Sequence, residues 1–416
     1  ERVLSLASTT SLQPEPIPVD VKVVLTGSRL LYYLLKQYDP EFGLLFKVAA
    51  DFAEDIDRND ENSELYARMI AGLQKENELA PFDKSAVQRI IEHCSRLLED
   101  SEKISLHMGG LLDLLREGDY WARQAERDII TEQDIQKSID TRHNRLDQLR
   151  ERVHEQVIRG DYLLDTSGEK VAQINALSVI QLGDYTFGRP SRITATARLG
   201  QGKVIDIERE AKLGGSIHSK GVMILSSYLA NRYARDQPIS LSASLVFEQS
   251  YGFVEGDSAS AAELCALLSA LSGVPIKQNF SVTGSVNQYG EIQTIGGVNE
   301  KIEGFFDICE SRELTGDQAV VIPQTNVKHL MLRVDVREAV ADNRFAIYSV
   351  QTIDQMMQLL TGRDAGVKDA AGHYPEGSIN YLVHKRIGEL NKLRKRFADE
   401  HKTEKRDFSR KNERKQ

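Results

Sequence analysis

Residues 247–306, FEQSYGFVEGDSASAAELCALLSALSGVPIKQNFSVTGSVNQYGEIQTIGGVNEKIEGFF, decide how the rest of the chain reads. Residues 240–247 have the texture of a strand, a loop then closes on Glu255-Gly256-Asp257-Ser258, and from 259 to 271 the apolar residues take helical spacing. Ser258 thus stands where a loop becomes a helix. First-turn N–H groups have no intrahelical partner and can face developing negative charge, while the hydroxyl is held at an exposed corner. The plainer reading makes Asp257 or Ser258 only an N-cap, since both residue types are favoured there. Further on, SVTGSVNQYGEIQTIGG is punctuated by glycine, and Asn287-Gln288-Tyr289-Gly290 reads as a hairpin turn. Val298-Asn299-Glu300-Lys301 then opens a second helix. Taken alone, such a lysine is an ordinary solvated side chain.

EGDSAS, then TGSV, then GEIQTIGGVNEKI, with Lys301 following Ser258 by 43 positions, resembles the proteolytic domain of the Lon protease family. The GDSAS form places the resemblance closest to the B-type branch. It spans about 161–362, and the helical segment before it matches more loosely. The family chemistry is a Ser-Lys dyad. A serine hydroxyl is a poor nucleophile unless a neighbouring base takes its proton, and no histidine stands near either motif to supply a Ser-His-Asp arrangement. An amine can serve if it is neutral, so burial must push a lysine down from its reference value near ~10.4. Ile295, Val298, Ile302, Phe305 and Phe306 flank Lys301 and are candidates for that burial. By resemblance, Ser258 is the nucleophile and Lys301 the general base. Thr283 matches the family threonine near the dyad lysine, and Asp257 belongs to the supporting residues. Glu255 matches an acidic position that pairs with the lysine in B-type members, which would favour the charged amine and a resting state.

Composition bounds the remainder. The chain has 416 residues, enough for two or three domains, with net charge -9 and 28% charged residues, which describes an acidic protein. No run of ~18 apolar residues could span a membrane. Residues 1–18 lack the basic and apolar regions of a secretory signal. Cys94, Cys265 and Cys309 are odd in number and lack metal spacing, so a reducing cytoplasm is the expected setting. Position 1 is not Met, and the chain is expected to be a fragment of something longer.

Residues 19–26, VDVKVVLT, read as a parallel-sheet strand after the stiff Pro14-Glu15-Pro16-Ile17-Pro18, with a helix at 32–38 and a short strand at 46–49. These are too little for an independent sheet; placed before a lid and a Lon-type domain, residues 1–50 resemble the C-terminal remnant of an AAA+ ATPase core. No G-x-x-x-x-G-K-S/T occurs, and Leu199-Gly200-Gln201-Gly202-Lys203 lacks both its spacing and its hydroxyl. No nucleotide is therefore expected on this chain, and the resemblance assigns ATP and Mg to a missing N-terminal half.

Residues 51–157 are helical and charged, with apolar repeats at 63–77, 84–95 and 109–126, the last containing Trp121, and with Thr131 a candidate N-cap. Their order resembles the helical AAA+ lid domain. Arg116 falls where the family's sensor-2 arginine reads nucleotide phosphates, or it is a surface cation. Residues 39–42 offer no arginine finger. Residues 138–159 read as one long charged helix joining the lid to the next domain.

From 158 to 362 strands alternate with glycine turns: 171–182, 192–198 and 202–209, the last two open to pairing across 199–202. Residues 212–220 read as a turn-rich link and 221–233 as ending in a helix. His218 in that link reads as a surface or structural residue. Strands at 319–322 and 345–350 precede a closing helix at 353–360. The fold class is α+β, and the resemblance implies a ribosomal protein S5 domain 2-like proteolytic domain. Residues 363–378 have linker composition, and 379–416 form a basic tail, amphipathic at first and then expected to lack order.

Two functions remain. One is a serine endopeptidase that hydrolyses unfolded or damaged proteins, ATP-dependent in the full-length protein and hexameric by resemblance. The other is a non-catalytic scaffold that binds nucleic acid or a partner through the basic tail.

Overall fold

The computed structural model describes residues 15, 17–183, 185–200, 203–235 and 240–413, with backbone alone for 203 and 398–413. Positions 14 and 16 of the proline stretch, positions 1–14 of the leader reading and the turn at 201–202 lie outside the described residues. Residues 1–53 form one compact unit and 54–416 another.

The first unit holds two helices, α1 (Arg29–Tyr38) and α2 (Phe42–Leu45). Ser28 caps α1 by accepting from the Leu31 N–H, and Phe42 is buried with its ring edge-on to Tyr32. The strands expected at 19–26 and 46–49 do not form. Neither segment has a ladder partner among the described residues, and alternating apolar residues make a strand only where a neighbour takes up the backbone groups.

The second unit begins with a helical subdomain: β1 (Asp55–Asp57), α3 (Asp60–Glu76), α4 (Lys84–Arg96), β2 (Lys103–Ser105), α5 (Met108–Gln124) and α6 (Glu132–Leu146). Helix starts are set by Asn59, Asp83 and Thr131, and Asp134 closes a capping box by accepting from the Thr131 N–H at 2.9 Å. Tyr66, Ile70, Ile90, Ile104, Leu115 and Ile135 form its core. The charged helix expected to run unbroken over 138–159 is interrupted at Asp147, between α6 and α7 (Gln148–Ile158). Asp147 is buried, pairs with Arg150 and accepts from the Tyr185 hydroxyl at 2.6 Å, so the break answers to a side chain fixed from another element.

Then come β3 (Glu169–Lys170), β4 (Gln173–Leu182), β5 (Tyr185–Leu199), β6 (Lys203–Asp206), α8 (Ile207–Glu210), α9 (Ser216–Tyr233), β7 (Leu241–Phe247) and α10 (Ser260–Ser272). They are followed by β8 (Ile276–Lys277), β9 (Phe280–Val282), β10 (Ser285–Val286), β11 (Ile292–Gln293), α11 (Val298–Ser311), β12 (Ala319–Pro323), a 3-10 turn, α12 (Val334–Ala341), β13 (Ala346–Val350), α13 (Ile353–Thr361) and α14 (Ile379–Glu413). The mixed main sheet has the order β13-β12-β9-β4-β5-β7-β6. β5 and β6 do not pair with each other, because β7 lies between them, antiparallel to β5 and parallel to β6. The link expected at 212–220 is shorter than read, since α9 already starts at Ser216.

One core layer sets α9, α10, α13 and α14 against the sheet, and the other sets α11 and α12 against it. α10 is buried along nearly its whole length, mostly with apolar side chains but with Ser260, Glu263 and Ser269 enclosed among them. α11 crosses β5 where Gly188 meets Gly304: a Cβ on Gly188 would lie 1.9 Å from the Glu300 carbonyl oxygen. That close approach seats the first turn of α11 on the sheet. Residues 363–378 are irregular but pinned, since the Asp364 carbonyl accepts from the Ile379 N–H at 3.1 Å and the Gly366 carbonyl from the Asn380 amide at 2.8 Å. The tail expected to lose order continues as α14 through Glu413, with Ile379, Val383, Ile387 and Leu390 buried in the main core.

Candidate active site

Ser258 lies in the turn before α10, after Gly256, whose φ of +92° suits a residue without Cβ. The N-cap is Ala259, so neither Asp257 nor Ser258 fills the capping role. The turn is instead stitched to the following β segment. The Ser258 carbonyl accepts from the Gly284 N–H at 2.8 Å and from the Thr283 hydroxyl at 3.3 Å, and the Ser260 hydroxyl accepts from the Val286 N–H at 3.1 Å. Two first-turn donors expected to face a substrate are already engaged, Ser260 N–H with the Asp257 carbonyl and Ala261 N–H with the Gly284 carbonyl.

Lys301 projects from the first turn of α11, and its Nζ donates to Ser258 Oγ at 2.9 Å. The lysine is 2% exposed, Val298, Ile302, Phe305 and Phe306 of the same helix are fully buried, and Ile295 ahead of that helix is buried too. Burial lowers the amine to about 8, against the pull of Glu99, Asp257 and Glu300 towards the charged form. An amine so placed can take a proton from the hydroxyl that it touches.

The remaining candidates divide. Thr283 is buried against the Ser258 backbone, and Asp257 accepts from the Ser285 hydroxyl at 2.9 Å while acting on Lys301 through its charge. Glu255 does not pair with the amine: its Oε1 accepts from the Ile217 N–H at 3.0 Å, at the start of α9, where a carboxylate suits the helix dipole. Arg116 is exposed and donates to the Asn77 side chain at 3.0 Å. His218, read as surface or structural, is buried beside Asp206 and Glu263.

Residues that the sequence did not single out reach the pair from the helical subdomain. Glu99 accepts from the Gly297 N–H at 3.0 Å, just ahead of α11. Arg96 pairs with Glu300 at 2.6 Å and Glu303 at 2.7 Å, on either side of Lys301. Charges at the end of a lid helix look solvated in sequence, and no local pattern distinguishes these.

An α+β domain that buries a serine–lysine pair, preceded by a helical subdomain, is the class that this arrangement defines. Residues 252–362 match the family model described as the Lon protease C-terminal proteolytic domain, residues 81–145 the archaeal LonB AAA+ ATPase LID domain, and residues 1–53 the LonB-like AAA domain. The chain belongs to the Lon protease family. It is 38% identical over 348 residues to a protein of Escherichia coli described as a Lon protease homolog, covering 83% of this chain and 58% of that one. A Haemophilus influenzae protein of the same description is 45% identical over 254 residues, 60% of this chain and 42% of its own length. An archaeal Lon protease of Thermoplasma volcanium is 26% identical over 362 residues, 84% of this chain and 52% of its own. The chain spans about half the length of the curated relatives it matches.

Proposed function

We propose that the chain is the lid and protease portion of an ATP-dependent serine endopeptidase that cuts unfolded or damaged proteins with a Ser-Lys dyad. The observation that carries this reading is the 2.9 Å contact between a buried lysine amine and the hydroxyl of Ser258. Neutral Lys301 takes the hydroxyl proton as Oγ attacks the peptide carbonyl, an acyl-enzyme forms on Ser258, and the same amine returns the proton to the leaving nitrogen. The developing oxyanion falls to the N–H groups of the 257–259 turn, which precede the two donors already engaged. Thr283 and Asp257 hold that turn. The domain is assigned the ribosomal protein S5 domain 2-like fold, with division at 1–50, 51–157, 158–362 and 363–416.

As in the family, the assembly is taken to be a hexameric ring with sites facing a chamber, in a reducing cytoplasm that suits three buried, unpaired cysteines. Among the described residues no helix is long and apolar enough to cross a membrane. The residues present do not fit ATP: the sequence has no phosphate loop, and Arg116 is engaged with Asn77 on the surface. No step here is routed through nucleotide.

The test is cleavage of unfolded casein in the assembled protease. Ser258→Ala and Lys301→Ala should each lower the rate by about 10³-fold or more, with far-UV circular dichroism unchanged. Unaltered cleavage in both variants would leave the scaffold reading, under which removal of α14 is the change that matters.

A further inference from the structure

Away from the dyad, four elements bring acidic and imidazole side chains to one buried point. Asp206 ends β6, Glu208 lies on α8, His218 in the first turn of α9 and Glu263 in the first turn of α10. Their exposures are 0%, 3%, 1% and 1%. One donor atom from each of Asp206, Glu208 and His218 lies within 4.8 Å of the others, and Glu263 Oε1 stands 3.9 Å from His218 Nε2. We propose that Asp206, Glu208, His218 and Glu263 form a binding site for one first-row divalent cation.

Three observations carry this. The first is orphaned polarity: both carboxylate oxygens of Asp206 and of Glu263, Glu208 Oε2 and His218 Nε2 are buried without a hydrogen-bond partner. His218 Nε2 and Asp206 Oδ2 are 3.2 Å apart yet not aligned as a hydrogen bond. Several unsatisfied groups converging on one spot are costly, and a cation would satisfy all of them together. The second is charge. Three carboxylates face a single imidazole, and His218 acts on Asp206 and Glu263, while Glu208 is faced by the like charge of Asp206. With a neutral imidazole, a divalent cation would cancel two of the three negative charges.

The third is orientation. Glu208 Oε1 is held by the Phe247 N–H at 2.8 Å, which leaves Oε2 turned to the cluster, and the Phe247 ring packs edge-on to His218 at 5.7 Å. Such supports fix ligands. One imidazole nitrogen with carboxylate oxygens suits Zn²⁺ or Mn²⁺. The cation would tie α8, α9 and β6 to α10 within its first turn, just beyond Ser258.

The test is independent of peptidase activity. The chain, purified without a metal-affinity step, is assayed for metal by plasma mass spectrometry. It is then stripped with chelator and titrated calorimetrically with Zn²⁺ and with Mn²⁺ in buffers of different ionisation heat. The expected result is one equivalent bound, with proton release and a higher thermal midpoint. Asp206→Asn should weaken binding at least tenfold. Glu263→Gln, closer in shape, provides the same test if the first variant fails to fold. A folded wild type that binds neither ion at about 0.1 mM, or folded variants that bind as wild type does, would overturn the site in favour of shared protons.

Discussion

The two buried charged sites flanking α10 are opposites. Ahead of its start, Lys301 is an amine with no carboxylate at ion-pair distance among the described residues, while on its flank three carboxylates share one imidazole. Burial disfavours the charged form in both, but with opposite results. The amine holds its proton less tightly, so that a fraction of it is a free base beside Ser258 near neutral pH. Glu208 and Glu263 hold their protons more tightly, while Asp206, beside His218, is shifted the other way.

The sharpest way to break the comparison is to replace the amine by an apolar chain of similar length. Lowering Lys301 from 10.5 to about 8 corresponds to roughly 3 kcal/mol set against folding at neutral pH. Lys301→Met should therefore abolish cleavage, by about 10³-fold or more, and yet raise stability by up to about 3 kcal/mol at pH 7 in urea unfolding. An inactive variant less stable than wild type would mean that the amine is held by attraction and not by desolvation.

The acidic cluster should show the reverse dependence. Glu263 faces His218, Asp206 and Glu208, and its folded value of about 8 exceeds the usual 4.5. A raised value stabilises below the unfolded pKa and is lost as pH rises through the folded one. Chelator-treated protein should thus lose stability from about pH 4.5 to pH 8. Glu263→Gln should flatten that decline, and bound cation should flatten it in the wild type. Thermal midpoints across that range, with and without Zn²⁺, decide the point.

How much of this was legible in the sequence follows the same division. Ser258 and Lys301 could be found because each sits in a local motif, and Ile302, Phe305 and Phe306, named as candidates for burial because they flank the lysine, are buried. Thr131 announced its helix through the capping chemistry that the structure contains. The strand read at 19–26 failed because alternation specifies a strand only when a partner is present, and β5 and β6 were mispaired because β7, much later in the chain, takes the place between them. The cluster of Asp206, Glu208, His218 and Glu263 was invisible as a unit, since its members come from four elements and only folding brings them to one point. Glu255 was drawn to the amine by analogy, whereas its position in the loop aims it at the N-terminus of α9.

The smallest effect concerns Glu99, which joins the lid to the dyad. Its carboxylate accepts from the Gly297 N–H and is the foremost of the charges that hold Lys301 towards protonation. With the amine at about 8, about a tenth of it is neutral at pH 7, so cleavage should rise nearly tenfold from pH 6 to pH 7 and level off above 8. Glu99→Gln keeps a hydrogen-bond acceptor for Gly297 but removes the charge, which lowers the amine further. The acidic limb of kcat/KM should move to lower pH, with a gain at pH 7 of up to about threefold and little change above pH 9. A limb that stays in place would mean that solvent screens the lid from the amine. A limb that moves to higher pH would mean that Glu99 positions α11, and that its loss lets water reach Lys301.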